Sequence, residues 1–518
     1  MSERSLDMIE SVQLVVGMEI HVELATRRKM FTRAPSPAHP NFEDAEPNTL
    51  IDPVVLALPG ALPVMNKGAV EMSMLVGMAL GCEIAERSVW DRKSYFYPDL
   101  PKAYQLSQYE LPLCFDGAVD VPAMDEAGWL RYDEDGCRVG IVRAHLEEDA
   151  GKLTHEGSGL SGGGSQVDLN RAGTPLLEIV TAPDFRSVED ALAFCRVLHA
   201  TCRFLGVTGG DMQKGQMRFE PNINCVLTLK DGHVVRTPIV EVKNLNSFRS
   251  VAGAIRYELK EQPKRWVETG EEHGPAMKST RGWDDAKEVT FLQRSKEDAL
   301  DYRYFPDPDL VPVVVDQAWR KRVRESLPVL PVERAKRYRD GLGLSDRDAQ
   351  QIAFDRGMTD VFDGAVEAAA SAGVDRAEAA KLAANLVVQG LGRIANEREA
   401  SVQSLGLDAA RVGEVIVLRQ SNEISGNGAE KILELMIGSD DAPRAIAKRE
   451  KLLQVTDTGA LEGWADEVIA AFPEIAEQIR GGKQQAIRRL IGEVMKRSGG
   501  QADAKAVREI LLAKLGDS

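Results

Sequence analysis

Residues 14–24 read LVVGMEIHVEL, and their pattern decides the fold of the first part of the chain. Apolar residues occupy every even position, whereas Glu19, His21 and Glu23 occupy odd positions between them. Because successive side chains of a strand point to opposite faces, this alternation predicts a β-strand with one buried and one polar face. Two carboxylates and an imidazole would share the polar face.

A second stretch, residues 217–227, repeats the alternation and places Arg218, Glu220 and Asn222 on its polar face. A strand face made of Arg, Glu and Asn is costly unless something polar docks on it. These residues are therefore candidates for binding a polar ligand. Two further stretches are predicted as strands: residues 143–147 and residues 239–244.

The character of the sequence changes near residue 310. Before it, short β-rich runs alternate with Gly, Pro and Asn; after it, Ala, Leu, Glu and Arg recur at helical spacing. Residues 262–289 are polar and contain several glycines, which predicts a long mobile loop. Residues 304–312 contain three prolines, which predict an extended connector.

The apolar residues of 358–369 and 487–495 are spaced as in amphipathic helices. We therefore expect an α+β fold, in which a β-sheet domain precedes a helical domain and an all-α tail. The boundaries that we predict are 1–310 for the sheet domain, 311–408 for the helical domain and 409–518 for the tail.

The composition is that of an ordinary globular chain, with 518 residues, 43% of them hydrophobic and 28% charged. The net charge of −16 argues against a protein that binds nucleic acid over its whole surface. A polyanion must therefore meet a local basic patch. Residues 480–518 carry nine basic and four acidic residues and are a candidate for that patch, although a solvated helix face explains the same count.

The cysteine pattern and the N-terminus indicate where the protein resides. Six cysteines without a C-x-x-C pair predict free thiols in a reducing compartment. Residues 1–13 have no apolar signal-peptide core, and no stretch has the roughly 18 apolar residues that span a bilayer. We expect a cytoplasmic protein with no membrane association.

Neither common glycine-rich nucleotide motif is convincing here. Residues 157–162 match G-x-G-x-x-G, but they lead into a strand-like stretch instead of opening a helix, which predicts a plain loop. The sequence contains no G-x-x-x-x-G-K-[ST] phosphate-binding loop. A nucleotide would therefore have to bind on the sheet.

Glu19 and His21 are two residues apart on one strand face, and Glu147 and Glu178 could add carboxylates from neighbouring strands. Oxygen ligands with one imidazole favour a hard cation such as Mg²⁺. A solvated strand face without a ligand explains the same spacing.

Lys93 and Lys102 flank the aromatic and charged residues 95–99, which read YFYPD. Such a cluster is either a functional loop or simply a packed turn. The sequence pattern leaves both interpretations open.

Taken together, these motifs resemble the B subunit of the aspartyl/glutamyl-tRNA amidotransferases. The resemblance covers almost the whole chain, because the ordered motifs extend from about residue 14 to residue 312 and the helical tail also looks like the tRNA-binding domain of that family. The motifs are residues 16–24, 58–64, 91–99, 145–152, 168–175, 243–248 and 301–306.

The resemblance implies a glutamine-synthetase-like cradle that uses ATP and Mg²⁺ to phosphorylate the side-chain carboxylate of Glu or Asp mischarged on tRNA. Ammonia from a partner glutaminase then displaces the phosphate and forms Gln-tRNA or Asn-tRNA. The implied assembly is a heterotrimer with the glutaminase (amidase), which is the A subunit, and a small C subunit.

By similarity, Glu19, His21, Glu147 and Glu178 match the metal site of the family. Lys93 and Lys102 match the ammonia passage. Arg218, Glu220 and Asn222 are assigned to the ATP or acyl-phosphate face, and Glu147, Lys93, Arg218 and Glu220 to catalysis. The residues assigned to tRNA binding are Lys483, Arg488, Arg489, Lys496 and Arg497.

The chain departs from many relatives at Thr32, Ala34, Asp52 and Val55, where those relatives carry zinc-binding cysteines. Thiolates are the usual ligands of such a site, so we expect no zinc. The archaeal relative, the E subunit of the Glu-specific enzyme, carries a large inserted domain. In this chain only residues 262–289 could correspond to that insertion, and they are too few. The B subunit is therefore the better match.

Two rival functions are considered: a non-catalytic tRNA-binding scaffold and a stand-alone metal-dependent hydrolase. The scaffold does not require polar residues on the inner strand faces, and the hydrolase does not require ATP. The chain lacks a Ser-Ser-Lys or cysteine amidase signature, so a partner must supply ammonia. The choice between Asp-tRNA and Glu-tRNA stays open.

Overall fold

The computed structural model describes residues 4–155, 164–274, 277–294, 302–455, 457–481 and 484–516. The chain forms two compact units, Met1–Pro331 and Val332–Ser518. The first unit is built on a mixed β-sheet with helices against it, and the second is helical. The expected α+β class is therefore confirmed, whereas the likeness to a glutamine-synthetase cradle stays a prediction.

The strands of the first unit are short except for β1, β9 and β13. In chain order they are β1 (Ile9–Glu23), β2 (Glu83–Ile84), β3 (Arg87–Ser88), β4 (Asp91–Ser94), β5 (Tyr104–Ser107), β6 (Cys114–Val121), β7 (Ala123–Met124), β8 (Leu130–Arg131), β9 (Cys137–Glu148), β10 (Lys152–His155), β11 (Ser165–Asp168), β12 (Pro175–Thr181), β13 (Met217–Leu229), β14 (Val234–Arg236), β15 (Ile239–Lys243), β16 (Lys278–Asp284), β17 (Val289–Arg294), β18 (Phe305–Pro306) and β19 (Val313–Val314).

The helices α1 to α4 belong to the first unit, and those that follow begin at or after its end. They are α1 (Lys67–Ala79), α2 (Val188–Phe204), α3 (Phe248–Thr269), α4 (Gln317–Glu325), α5 (Pro331–Leu342), α6 (Asp346–Ala353), α7 (Arg356–Ser371), α8 (Arg376–Ala384), α9 (Gly392–Glu397), α10 (Ala409–Gln420), α11 (Gly426–Met436), α12 (Pro443–Arg449), α13 (Thr458–Ala471), α14 (Pro473–Arg480), α15 (Ile487–Arg497) and α16 (Ala504–Gly516). Short 3-10 turns lie at Leu6–Met8, Pro40–Phe42, Gln403–Leu405 and Gln484–Ala486, and a π-helical turn at Asn385–Leu391 joins α8 to α9.

The main sheet runs in the order β17-β16-β15-β13-β1-β12-β9-β5-β4-β18, with β14 beside β13 and β6 beside β9. Its pairs are antiparallel except for β15 with β16. The strand β1 lies between β12 and β13; it pairs with β13 along most of its length and with β12 from Glu19 to Glu23. The four strands predicted from alternation are all present in this sheet.

Burial follows the alternation in β1 and β13. From Leu14 to Val22 the even-numbered residues of β1, such as Val16 and Ile20, are buried, as are Phe219 and Ile223 of β13. The helix α3 packs against β13, and the rings of Phe219 and Phe248 lie 5.7 Å apart. The apolar core therefore occupies one side of the sheet, which leaves the polar side chains on the other.

The predicted loop at residues 262–289 is wrong. Residues 262–269 belong to α3, which continues through the buried Pro263, and β16 and β17 follow. Tertiary contacts override the local signal: Gln262 donates a hydrogen bond to the Ile223 carbonyl, and Trp266 is buried. The helix ends at Gly270, whose φ of 69° is unstrained only for glycine.

The first unit extends beyond residue 310, where we expected the domain boundary. After the proline-rich connector, β19 pairs with β3, and the Trp319 indole donates a hydrogen bond to Glu71 of α1 at 2.8 Å. These contacts hold α4 in the first unit. The division predicted at residue 408 stays a prediction.

The second unit contains the two helices that the apolar spacing predicted, as α7 and α15. The glycines that follow α15, Gly499 and Gly500, both have positive φ, as helix-ending glycines do. The helices α13 to α16 share a hydrophobic core that includes Leu461, Leu490 and Leu511. This end of the chain therefore has a packed core.

The six cysteines are free, as expected, and all but Cys137 are buried. Among the residues that the structure describes, no helix is both long enough and apolar enough to cross a bilayer.

Removing apolar volume from β1 should destabilise the sheet. We expect Ile20→Ala to lower the free energy of unfolding by about 3 kcal/mol, because the side chain is fully buried and its loss leaves a cavity. Val12→Ala on the same strand, where the side chain is 40% exposed, should cost less than about 0.5 kcal/mol. Urea unfolding of both variants checks this, and equal midpoints would contradict the burial of this strand face.

Candidate active site

Three residues from three neighbouring strands meet on the polar side of the sheet. The register pairs His21 of β1 with Glu178 of β12, and Glu147 comes from the next strand, β9. The His21 Nε2 atom lies 3.6 Å from the Glu178 Oε2 atom and 3.9 Å from the Glu147 Oε1 atom. We call these three residues the His21 triad.

In the His21 triad Glu147 and Glu178 are buried and His21 is half-buried, and neighbouring groups set the charges of all three. Burial lowers the pKa of His21, but Glu178 and Glu220 more than offset this, so that its pKa is raised. Burial would raise the pKa of Glu178, yet His145 and His21 hold it well below its usual value. Burial also raises the pKa of Glu147. The triad thus concentrates carboxylate charge in a site with little water.

Two more side chains, those of Lys93 and His145, lie next to the triad. The Lys93 Nζ atom lies 3.8 Å from the Glu147 Oε2 atom, and the His145 Nε2 atom lies 3.5 Å from the Glu178 Oε2 atom. Burial lowers the pKa of His145 to about 4, which keeps this imidazole neutral. Lys93 keeps its charge because Glu147 and Glu178 raise its pKa above the usual value despite burial.

A second acidic group lies beside the triad and consists of Glu19, Glu220 and Glu241. One carboxylate oxygen from each lies within 4.8 Å of the others. The register sets Glu19 of β1 directly opposite Glu220 of β13, which is unfavourable for like charges unless a cation offsets it. Glu19 therefore belongs to this second group. The sequence pattern grouped it instead with the residues of the His21 triad.

Lysines and an amide contact the second acidic group. The Lys243 Nζ atom lies 2.6 Å from a Glu220 oxygen, and the Lys278 Nζ atom lies 3.6 Å from a Glu19 oxygen. The Asn222 amide donates a hydrogen bond to Glu19 at 3.0 Å. Two positive charges therefore lie beside three carboxylates, at a place where a phosphate and a metal could share the site.

The two acidic groups form one continuous surface. The Glu220 Oε1 atom lies 3.9 Å from the His21 Nδ1 atom, so Glu220 faces both groups. The buried Glu147 Oε2 atom and His21 Nδ1 atom make no hydrogen bond with any described residue. Carboxylate and imidazole atoms that make no hydrogen bond and lie at this spacing fit a hard divalent cation such as Mg²⁺.

Arg218 lies near two buried carboxylates, those of Asp149 and Glu23. Its guanidinium donates a hydrogen bond to Asp149 at 3.0 Å. Burial and the nearby Asp149 raise the pKa of Glu23 to about 8. Burial would raise the pKa of Asp149, but Arg218 and Arg171 lower it to about 2. Arg218 is thereby fixed in place on the strand face next to the His21 triad.

The two predicted passage lysines contact different carboxylates. Lys93 pairs with Glu147, whereas Lys102 forms an ion pair with Glu148. Because successive residues of a strand point to opposite faces, the two carboxylates point to opposite sides of β9. The Glu148 carboxylate also accepts a hydrogen bond from the Leu106 backbone at 3.0 Å, which fixes its position.

The basic residues predicted to bind tRNA lie in the second unit. The helix α15 exposes four of them: Arg488, Arg489, Lys496 and Arg497. Lys483 lies outside the described residues, as does the glycine-rich run at 157–162.

The positions that match the zinc cysteines of relatives form a small packed cluster. Thr32 donates a hydrogen bond to Asp52, and Ala34 and Val55 pack against Ala172. The expectation that no zinc binds here stays a prediction.

Several residues of this surface were not predicted from the sequence. Glu241 and Lys243 lie on a strand that had been predicted, and their alternation could have placed them on the polar face. His145 was missed although it is two residues from Glu147 and therefore on the same face. Lys278 gave no signal, because it lies in the stretch interpreted as a loop.

Comparison with known proteins first defines the class of the chain. The family model described as "GatB/GatE catalytic domain" matches residues 14–321, and the one described as "GatB domain" matches residues 348–515. The chain is thus built from the catalytic domain of this class, which carries the sheet and its acidic surface, and a helical domain of the same class.

The relatives then define the family. The B subunit of the aspartyl/glutamyl-tRNA(Asn/Gln) amidotransferase from an Anaeromyxobacter species is 41% identical over 508 residues, which cover 98% of this chain and 99% of the relative. The B subunits of the same name from Geobacter sulfurreducens and Halorhodospira halophila are each 42% identical, covering 97% and 98% of this chain and 99% of each relative. The chain belongs to the B-subunit family of the aspartyl/glutamyl-tRNA amidotransferases, which confirms the resemblance.

The His21 triad should bind a divalent cation. We expect Glu178→Gln to weaken Mn²⁺ binding by at least about 10-fold, because it removes a negative charge and a ligand oxygen while keeping the side-chain shape. Isothermal titration of Mn²⁺ into the protein measures this. Glu83→Gln, at an exposed carboxylate of β2, is the matched control. Equal affinities in the two variants would rule out the triad as the ion site.

Proposed function

We propose that this chain is the catalytic subunit of a tRNA-dependent amidotransferase, which converts Glu-tRNA(Gln), Asp-tRNA(Asn) or both into Gln-tRNA and Asn-tRNA. The observation that carries the proposal is the His21 triad with the adjoining acidic group on one sheet face. Family membership over nearly the whole chain supports it. The enzyme class would be a glutamine-hydrolysing carbon–nitrogen ligase.

The chemistry requires two steps, because a carboxylate is a poor acyl donor. First, a side-chain carboxylate oxygen of the tRNA-bound amino acid attacks the γ-phosphorus of ATP, forming an acyl phosphate and releasing ADP. Ammonia then attacks the carbonyl carbon and expels inorganic phosphate. The amide retains two of the three ammonia hydrogens, and the remaining proton passes to a nearby base.

The chain's own residues stabilise the charge that develops in these steps. Lys243 and Lys278 lie against the second acidic group, where they would bind phosphate oxygens. Arg218, fixed by Asp149, would orient the acyl phosphate. Glu220 and Asn222 complete this face.

Magnesium fits this site. His21, Glu147 and Glu178 would hold one ion, and Glu19, Glu220 and Glu241 offer a second set of oxygen ligands. The ion would supply Lewis-acid stabilisation of the transferring phosphoryl group. Lys93 would keep the Glu147 carboxylate oriented and charged, because it contacts the Oε2 atom.

Ammonia must come from another protein, since this chain lacks an amidase signature. We assign Lys93 and Lys102, with their partners Glu147 and Glu148, to the passage that delivers it to the acyl phosphate. The supplier would be the glutaminase, as the A subunit, and a small C subunit would complete a heterotrimer.

The loss of one triad carboxylate tests the catalytic proposal. In a complex with the glutaminase and the small partner, we expect Glu147→Gln to reduce ATP-dependent amidation of Glu-tRNA and Asp-tRNA by at least about 100-fold, because the developing phosphoryl charge loses its stabilisation. Glutamine hydrolysis by the partner should survive. The control is again Glu83→Gln.

Undiminished amidation by Glu147→Gln would favour a non-catalytic, tRNA-binding scaffold. Turnover without ATP would favour a metal-dependent hydrolase. Each outcome would overturn the proposal in a different way.

The exposed basic face of α15 should bind tRNA. We expect the triple charge reversal Arg488→Glu, Arg489→Glu and Lys496→Glu to weaken tRNA binding and to flatten its dependence on salt, because fewer counterions are released. Filter binding at several salt concentrations measures both quantities. Lys381→Glu, at an exposed lysine of α8, is the control. An unchanged salt slope would place the tRNA contact elsewhere.

A further inference from the structure

A large cavity opens beside the His21 triad, and nothing described so far occupies it. It has a volume of about 680 Å³, within the range of small-molecule sites. Lys93 lines this cavity, and its Nζ atom also contacts the Glu147 Oε2 atom at 3.8 Å. A ligand in the cavity would therefore lie directly next to the proposed phosphoryl-transfer site.

The walls of this cavity are unusually aromatic. Tyr95 and Tyr302 line it and pack edge to face, with ring centroids 6.0 Å apart. Phe96 and Tyr97 also line it, and they are 90% and 56% exposed. An exposed phenylalanine next to a half-exposed tyrosine offers flat apolar surfaces without a partner among the described rings. Such surfaces are those on which nucleic-acid bases stack.

The polar groups of the cavity suit a nucleoside. Asp99 lines it and is buried, and its Oδ1 atom makes no hydrogen bond with any described residue. A carboxylate in this position can accept a hydrogen bond from a ribose hydroxyl or from the adenine amino group. Lys93 and the exposed Arg303 also line the cavity and give this part of its wall positive charge.

We propose that this cavity, lined by Tyr95, Phe96, Tyr97, Asp99 and Tyr302, binds an adenosine. The inference rests on the proposed function, in which two adenosines lie near the reacting carboxylate. One belongs to ATP, in which no more than three phosphates separate the adenosine from the transferring phosphoryl group. The other is the 3′-terminal nucleoside of the tRNA, whose ribose carries the amino acid.

Phe96 is the residue to test, because its exposure means that its loss cannot disturb the core. In the complete complex, we expect Phe96→Ala to raise the KM of one substrate about 10-fold, which is within the range for the loss of one stacked base. Phe96→Trp, which keeps a stacking surface, should restore the wild-type value. Phe291→Ala, at an exposed ring on β17 at the opposite end of the sheet, is the control.

The adenosine of ATP and that of the tRNA end are distinguished by measuring the KM of ATP and the KM of aminoacyl-tRNA separately. A raised KM for ATP alone assigns the cavity to the nucleotide, and a raised KM for aminoacyl-tRNA alone assigns it to the tRNA end. A second test compares the KM of ATP with that of 2′-deoxy-ATP, in the wild type and in Asp99→Asn. If Asp99 contacts the ribose, the ratio of these two KM values should differ between the wild type and the variant.

Each assay is run with glutamine and with ammonium chloride as the nitrogen source. A defect seen with glutamine but absent with ammonium would mean that Phe96 docks the glutaminase partner, and would overturn the proposal. Unchanged KM values for both substrates, or an equal defect in Phe96→Ala and Phe96→Trp, would also overturn it. The proposed function would survive these results, because it fails only if Glu147→Gln stays active or if turnover needs no ATP.

Discussion

The antiparallel register of β1 between β12 and β13 is the constraint on which the rest of the structure depends. The register sets His21 opposite Glu178 on one side and Glu19 opposite Glu220 on the other. Because the side chains of a strand alternate, a shift of one residue would exchange the buried and polar faces of the whole strand. The burial of the even-numbered residues from Leu14 to Val22 therefore fixes the polar surface as well as the core.

The polar surface of the sheet is formed at an electrostatic cost. Burying a carboxylate is unfavourable unless it is paired or neutralised, and several lie together here. The chain compensates locally, with Lys93 at Glu147, Lys243 at Glu220 and Arg218 at Asp149. The Glu147 Oε2 and His21 Nδ1 atoms nevertheless make no hydrogen bond with any described residue. A divalent cation there would add positive charge, which would link the stability of this face to its proposed chemistry.

Local pattern predicted the structure correctly where a strand has one buried face. The alternation in residues 14–24 and 217–227 predicted both strands and their polar residues, because periodicity reports burial directly. The same reasoning failed at residues 262–289, where glycines and Pro263 suggested a loop. There, contacts of Gln262 and Trp266 with the sheet stabilise the helix, and no local pattern contains that information.

The sequence by itself determined the class of the fold, the polar strand faces and the resemblance to the amidotransferase family. Only the tertiary structure decided how those faces combine. It separated Glu19 from the His21 triad and joined it with Glu220 and Glu241, since the strand order places β15 and β13 on one side of β1 and β12 and β9 on the other. Strand order and register depend on contacts between residues far apart in the chain, whereas periodicity depends only on near neighbours.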